Sequence, residues 1–203
     1  MPVLGLTGNL NCGKSTVLEL LKRKGAYVFD ADKLIHKYYE DKKSGIYKKI
    51  SVIFPEAVNR KGIDRKKLGK IVFSNIKELK RLEAIVHPAA VRDLKAWVNS
   101  AKAKRGIYVA EVPLLFENNL EKIFDGVILI HVKKDVLLKR IKSNLKLSKS
   151  SALRRLSAFG PFNEKNRKAD FIINNSFGME TLKREIDILW EKFNRDFKGE
   201  NKN

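Results

Sequence analysis

An apolar run, Val3-Leu4-Gly5-Leu6-Thr7, leads directly into Gly8-Asn9-Leu10-Asn11-Cys12-Gly13-Lys14-Ser15-Thr16. The second stretch reads G-x-x-x-x-G-K-S, and no other feature constrains the chain as much. A strand must end in a tight loop whose backbone N–H groups converge on phosphate oxygens, and a helix must start beneath them. Glycines open backbone conformations that a Cβ would block. Gly8, Asn9, Asn11, Cys12, Gly13 and Thr16 are then the phosphate-cradling positions of an ATP site. Lys14 reaches the β- and γ-phosphates, and the Ser15 hydroxyl takes one place on Mg²⁺. Val17, Leu18, Leu20 and Leu21 follow at helical spacing, which supplies the helix that the motif needs. Many phosphate loops carry further glycines where Asn9 and Asn11 stand. Asn is the non-glycine residue that best tolerates positive φ, so the turn stays buildable.

At 203 residues, 43% hydrophobic and 33% charged, the chain has globular composition and the length of one α/β unit with insertions. No stretch approaches the about 18 consecutive apolar residues of a membrane span, and the first strand begins without a signal-peptide pattern; a cytoplasmic protein without a membrane partner is expected. The single cysteine rules out an intrachain disulfide framework. Cys12 lies near a helix N-terminus, where thiol pKa values fall; the plainer reading is a small side chain that fits the loop. The net charge of +20 invites a nucleic-acid reading, yet the cations fall in short clusters such as Lys22-Arg23-Lys24, Lys42-Lys43, Arg65-Lys66-Lys67 and Lys133-Lys134. A solvated lysine-rich surface that steers polyanionic nucleotides accounts for them, and nucleic acid is not expected as a partner.

Further along, Gly25 ends the first helix and Ala26-Tyr27-Val28-Phe29 predicts a short buried strand. It delivers Asp30-Ala31-Asp32 to its carboxyl end, where ligands of open parallel sheets collect. One carboxylate can serve as base for an attacking hydroxyl or hold water on Mg²⁺, and one can cap the next helix. From 44 to 105 the strand signal nearly disappears. A helix opens after Asp64, another follows Ser74, and Pro88 predicts the start of a third, with His87 at the junction. Such a helical insertion in a nucleotide-dependent transferase holds the second substrate. Ile107 to Val112 predicts a strand ending near Glu111, which suits a carboxylate that holds Mg²⁺-bound water. Gly126 to Val132 and Phe171 to Asn175 predict two more strands. A helix bearing Arg140 lies between them, and a closing helix runs from Leu182 to Phe193. The basic stretch 148–168, with Arg154, Arg155, Lys165, Arg167 and Lys168, predicts a mobile lid over the triphosphate.

In order, LTGNLNCGKST (6–16), VFDADKLIH (28–36), IDRKKLGKIVF (63–73), RLEAIVHP (81–88), EVPLLFE (111–117) and ADFIINNS (169–176) resemble the dephospho-CoA kinase family from Leu4 to Trp190. The resemblance implies one P-loop kinase domain, 1–203, with a five-stranded parallel sheet flanked by helices. The nucleotide core is 1–43 with 106–147 and 169–197, the helical acceptor subdomain 44–105 and the lid 148–168. It implies transfer of the ATP γ-phosphoryl to the ribose 3′-hydroxyl of dephospho-CoA, with Mg²⁺ as cofactor. Asp32 is then the base with Asp30 beside it. Lys14, Arg140 and Arg155 attend the phosphates, and Asn175 joins the ATP site. His87 and the loop Leu114, Leu115, Phe116 and Glu117 line the acceptor site, while Ser15, with Glu111 or Asp30 through water, serves the metal. A monomer or weak oligomer is expected. Family lids commonly have glutamine where Phe159 stands and a second basic residue near Asn144. Two rival readings are another small-molecule P-loop kinase, acting on a nucleotide or nucleoside, and a basic nucleic-acid-binding ATPase. A third is a nucleotide-binding protein without turnover.

Overall fold

The computed structural model describes residues 2–145 and 162–198. Five strands, β1 (Val3–Gly8), β2 (Tyr27–Asp30), β5 (Tyr108–Glu111), β6 (Gly126–His131) and β7 (Phe171–Asn174), form one sheet in the order β2-β5-β1-β6-β7. β1 runs parallel to both β5 and β6, and β6 runs parallel to β7. Every residue of β1 is buried, as a central strand covered on both faces must be, which explains its unbroken apolar run. Two amphipathic helices cover one layer: α1 (Lys14–Arg23) through Val17, Leu18 and Leu21, and α8 (Met179–Lys198) through Leu182, Ile186, Leu189 and Phe193. This part also holds α6 (Lys134–Leu145) and the short α7 (Phe162–Lys168).

Residues Asp30–Ala96 form a compact unit of their own. It holds α2 (Ala31–Glu40), α3 (Gly45–Ile53), a two-residue-per-strand hairpin of β3 (Val58–Asn59) and β4 (Gly62–Ile63), α4 (Arg65–Ser74) and most of α5 (Ile76–Lys102). Its core joins Tyr39, Tyr47, Ile50, Phe54, Ile63, Leu68, Val72 and Val86. The unit opens at Asp30, ahead of residue 44, because α2 contributes Tyr39 to that core. Gly62, at φ 135, lets the hairpin meet the end of α2: a Cβ there would lie 2.6 Å from the Tyr39 carbonyl oxygen.

Two expectations are corrected. The Ala26 to Phe29 run is not a buried strand but the edge strand β2, with Tyr27 57% exposed. Its apolar character serves an aromatic cover, in which Tyr27 stacks on Tyr108 at 4.8 Å and Phe29 meets Trp97 at 5.3 Å. Pro88 does not start a helix. It lies inside α5, which runs unbroken for 27 residues. A proline there removes one N–H and frees the carbonyl four residues back. Pro88 and Ala84 are both exposed, so water can satisfy that carbonyl, while Val86, Ala89, Leu94 and Val98 stay buried on the opposite side and keep the helix continuous.

Candidate active site

The loop between β1 and α1 is built for an anion. Its last residue, Gly13, caps α1 at φ 94 without a side-chain hydrogen bond, and no acidic residue occupies the first turn. The N–H groups at that end are therefore available to a phosphate, and the helix dipole favours one. Gly13 is needed twice over, since positive φ strains any other residue and a Cβ would run into the Asn175 amide. At Gly8 a Cβ would lie 2.7 Å from Cys12 Sγ and 2.9 Å from the Ile130 carbonyl oxygen. Asn11 adopts φ 61, so the loop uses the tolerance of asparagine where glycine is the commoner solution.

Lys14 Nζ donates to the carbonyls of Gly8 (3.2 Å) and Asn9 (3.1 Å), which folds the lysine across the loop that it serves. Asn175, at the end of β7, donates from Nδ2 to the Cys12 carbonyl at 2.8 Å, and its own N–H bonds to His131. Asn11 Nδ2 donates to the Arg140 carbonyl at 2.8 Å. Ser15 and Thr16 stand exposed in the first turn of α1. Cys12 is 1% exposed, and burial pushes its thiol up from the ordinary value, with Glu111 acting in the same sense and Lys14 against both. Desolvation thus outweighs the lowering that a helix N-terminus brings.

Glu111 ends β5 opposite Leu6 and is 2% exposed. Next to it in β1, the fully buried Thr7 donates to the Pro113 carbonyl at 3.2 Å, which ties the end of β1 to the loop that follows β5. In that loop Leu115 and Phe116 turn into the core; Leu115 packs so closely on Gly5 that a Cβ there would meet its Cδ1. Leu114 keeps part of its surface exposed. Glu117 pairs with Lys165 of α7 at 2.6 Å. The lysine is 4% exposed, so Lys165 is a pinned side chain and not part of a mobile cationic segment. Arg155, Phe159 and the stretch 148–161 of the expected lid lie outside the described residues, as does the side chain of Asn144.

In the unit Asp30–Ala96, Asp30 is the N-cap of α2. Its Oδ1 accepts from Lys33 N at 3.0 Å and its Oδ2 faces Lys33 Nζ at 3.1 Å. Asp32 is exposed in the first turn and makes no capping bond. Asp30 thus takes the capping role that the sequence left open between the two carboxylates. His87 is exposed within α5. Tyr38 on α2 donates to Asp93 on α5 at 2.6 Å, which holds the Asp93 carboxyl below the usual range; burial, then Asp93, push the Tyr38 hydroxyl up.

The family model described as dephospho-CoA kinase matches residues 2–181. The chain belongs to the dephospho-CoA kinase family. Dephospho-CoA kinase of Aquifex aeolicus is 34% identical over 199 residues, covering 97% of this chain and 100% of its own. That of Bacillus licheniformis is 36% identical over 190 residues, covering 92% and 94%. A solved structure, dephospho-CoA kinase from Campylobacter jejuni, is 30% identical and superposes with a TM-score of 0.68 over 94% of this chain and 96% of its own.

As a member of this family the chain has a P-loop kinase core, and the five-stranded sheet with β1 at its centre is that fold. The bracing residues Thr7 and Lys165 were not legible as such. A threonine closing an apolar run and a lysine in E-K-N-R-K carry no local signal of burial. Among the described residues no helix is long and apolar enough to cross a membrane, and no three His, Cys, Asp or Glu side chains gather as a metal cage.

Proposed function

We propose that this chain transfers the γ-phosphoryl of ATP to the ribose 3′-hydroxyl of dephospho-CoA, giving coenzyme A and ADP. The observation that carries the reading is the family match across residues 2–181, and the anion-ready start of α1 supports it. In the step, the 3′-oxygen forms a bond to the γ-phosphorus while the bond to the β,γ-bridging oxygen breaks and leaves with ADP. The hydroxyl proton passes to Asp32, which is exposed and free of the capping duty that occupies Asp30. Phosphoryl transfer through a loose transition state depends mainly on positioning and charge neutralisation, so Lys14, Arg140 and Arg155 matter at least as much as proton removal.

Mg²⁺ fits the donors that the chain offers. Ser15 is an exposed hydroxyl in the first turn of α1 and Glu111 a buried carboxylate at the end of β5. This is the sparse oxygen set that Mg²⁺ takes alongside substrate phosphates and water. Once bound it neutralises charge on the phosphate oxygens. We place the acceptor on the unit containing Asp32 and His87, and the protein in the cytoplasm as a monomer or weak oligomer.

The test is an ADP-release assay with MgATP and, in turn, no acceptor, dephospho-CoA, adenosine or AMP. ADP formed only with dephospho-CoA supports the assignment. Turnover with adenosine or AMP alone, or none in folded protein that binds ATP, defeats it.

A further inference from the structure

Asn11 combines two features. It holds φ 61 in the left-handed region, and its Nδ2 reaches out of the loop to the carbonyl of Arg140, 2.8 Å away and 129 positions along the chain. Glycine would supply the backbone angle without the donor, and most residues would supply neither. The accepting carbonyl lies inside α6 and also takes the Ser143 hydroxyl at 3.2 Å. On the next loop residue, the Cys12 carbonyl accepts from Asn175. Two adjacent loop residues are thus fastened by amides to two different elements, α6 and the end of β7. The Arg140 guanidinium pairs with no carboxylate among the described residues.

We infer that Asn11 is a positioning residue, whose amide holds the backbone of Arg140 at a fixed offset from the phosphate loop so that loop and guanidinium meet the nucleotide phosphates together. The inference rests on the reading of this loop and Arg140 as the ATP site. It does not depend on the acceptor. A bond of this kind contributes modestly to overall stability. Its functional effect is larger wherever a small displacement misplaces a charge on the transferring group.

The test is a double-mutant cycle in the full chain. The proteins are wild type, Asn11→Gly, Arg140→Ala and the double variant, with MgADP and MgATP affinity read by calorimetry and thermal unfolding followed in parallel. Glycine accepts φ 61 without strain, so Asn11→Gly keeps the fold. It should weaken MgATP binding about three- to tenfold, the range of one net hydrogen bond. In the Arg140→Ala background the same substitution should change affinity less than about twofold, since the group it positions is gone. Equal factors in the two backgrounds, or no effect of Asn11→Gly on the wild type, overturn the proposal. Because the readout is nucleotide binding, failure to phosphorylate dephospho-CoA would count against the proposed function alone.

Discussion

Lys165 and Glu117 form an ion pair at 2.6 Å in which the lysine side chain is 5% exposed and the glutamate side chain 22%. It fastens α7 to the loop after β5. Removing one member of a buried pair strands the other charge, which costs about 3–5 kcal/mol when both are enclosed. The glutamate keeps some water, so Glu117→Gln should lower unfolding free energy by about 2–3 kcal/mol. Urea denaturation measures this, and Glu117→Gln with Lys165→Met should recover most of the loss. A single variant as stable as wild type would show that the pair holds nothing in place.

Asp30 and Asp32 should separate cleanly. Asp30→Ala removes the cap of α2 and should lower stability by about 1 kcal/mol. Asp32→Asn leaves the cap intact and should lower kcat by about 100- to 10,000-fold, the range of general acid–base assistance, with little change in melting temperature. If kcat survives Asp32→Asn, Asp32 is not the base.

Gly13→Ala places a Cβ at φ 94 against the Asn175 amide. Left-handed strain alone should cost about 1–2 kcal/mol in thermal or urea unfolding. With Asn175 displaced from the Cys12 carbonyl, ATP affinity should fall roughly tenfold or more, the factor that about 1.4 kcal/mol gives. Unchanged ATP affinity in this variant would mean that the loop does not bind the phosphates.

Burial, and then the charge of Lys133, hold His131 below its ordinary value. In the unfolded chain the imidazole takes up its proton near its usual pKa of about 6.5, before the folded protein does. Protons therefore bind preferentially to the unfolded state as pH falls, and stability rises with pH through this window. The contribution is complete above the unfolded pKa and is lost as pH drops through the lower folded one. Melting temperatures of wild type and His131→Gln should diverge progressively from pH 7 to pH 5, with wild type falling faster. Parallel curves would remove His131 from the account.

The phosphate loop, the five strands and the closing helix were legible because each is written locally: glycines at fixed spacing, apolar runs of strand length, and apolar residues at helical spacing. What escaped depended on partners distant in the chain. Tyr27 looked buried because a run of apolar residues does not reveal whether a strand lies at a sheet edge. Pro88 looked like a helix start because the sequence alone does not say that Ala84 and Pro88 face water while Val86 and Ala89 are packed. Lys165 read as one cation of a mobile lid until Glu117 was beside it. In the D-A-D motif the pattern offered two carboxylates for one cap, and only the hydrogen bond from Lys33 N showed which of them takes it.

The chain's one thiol lies directly under the phosphate loop, enclosed to 1% exposure and wedged where Gly8 has no side chain. Its alkylation must wait for the loop to open and for the thiolate to form. Cys12 is therefore a native stopwatch: the rate at which an alkylating reagent labels it reports how often the loop lifts, with no probe added to the chain.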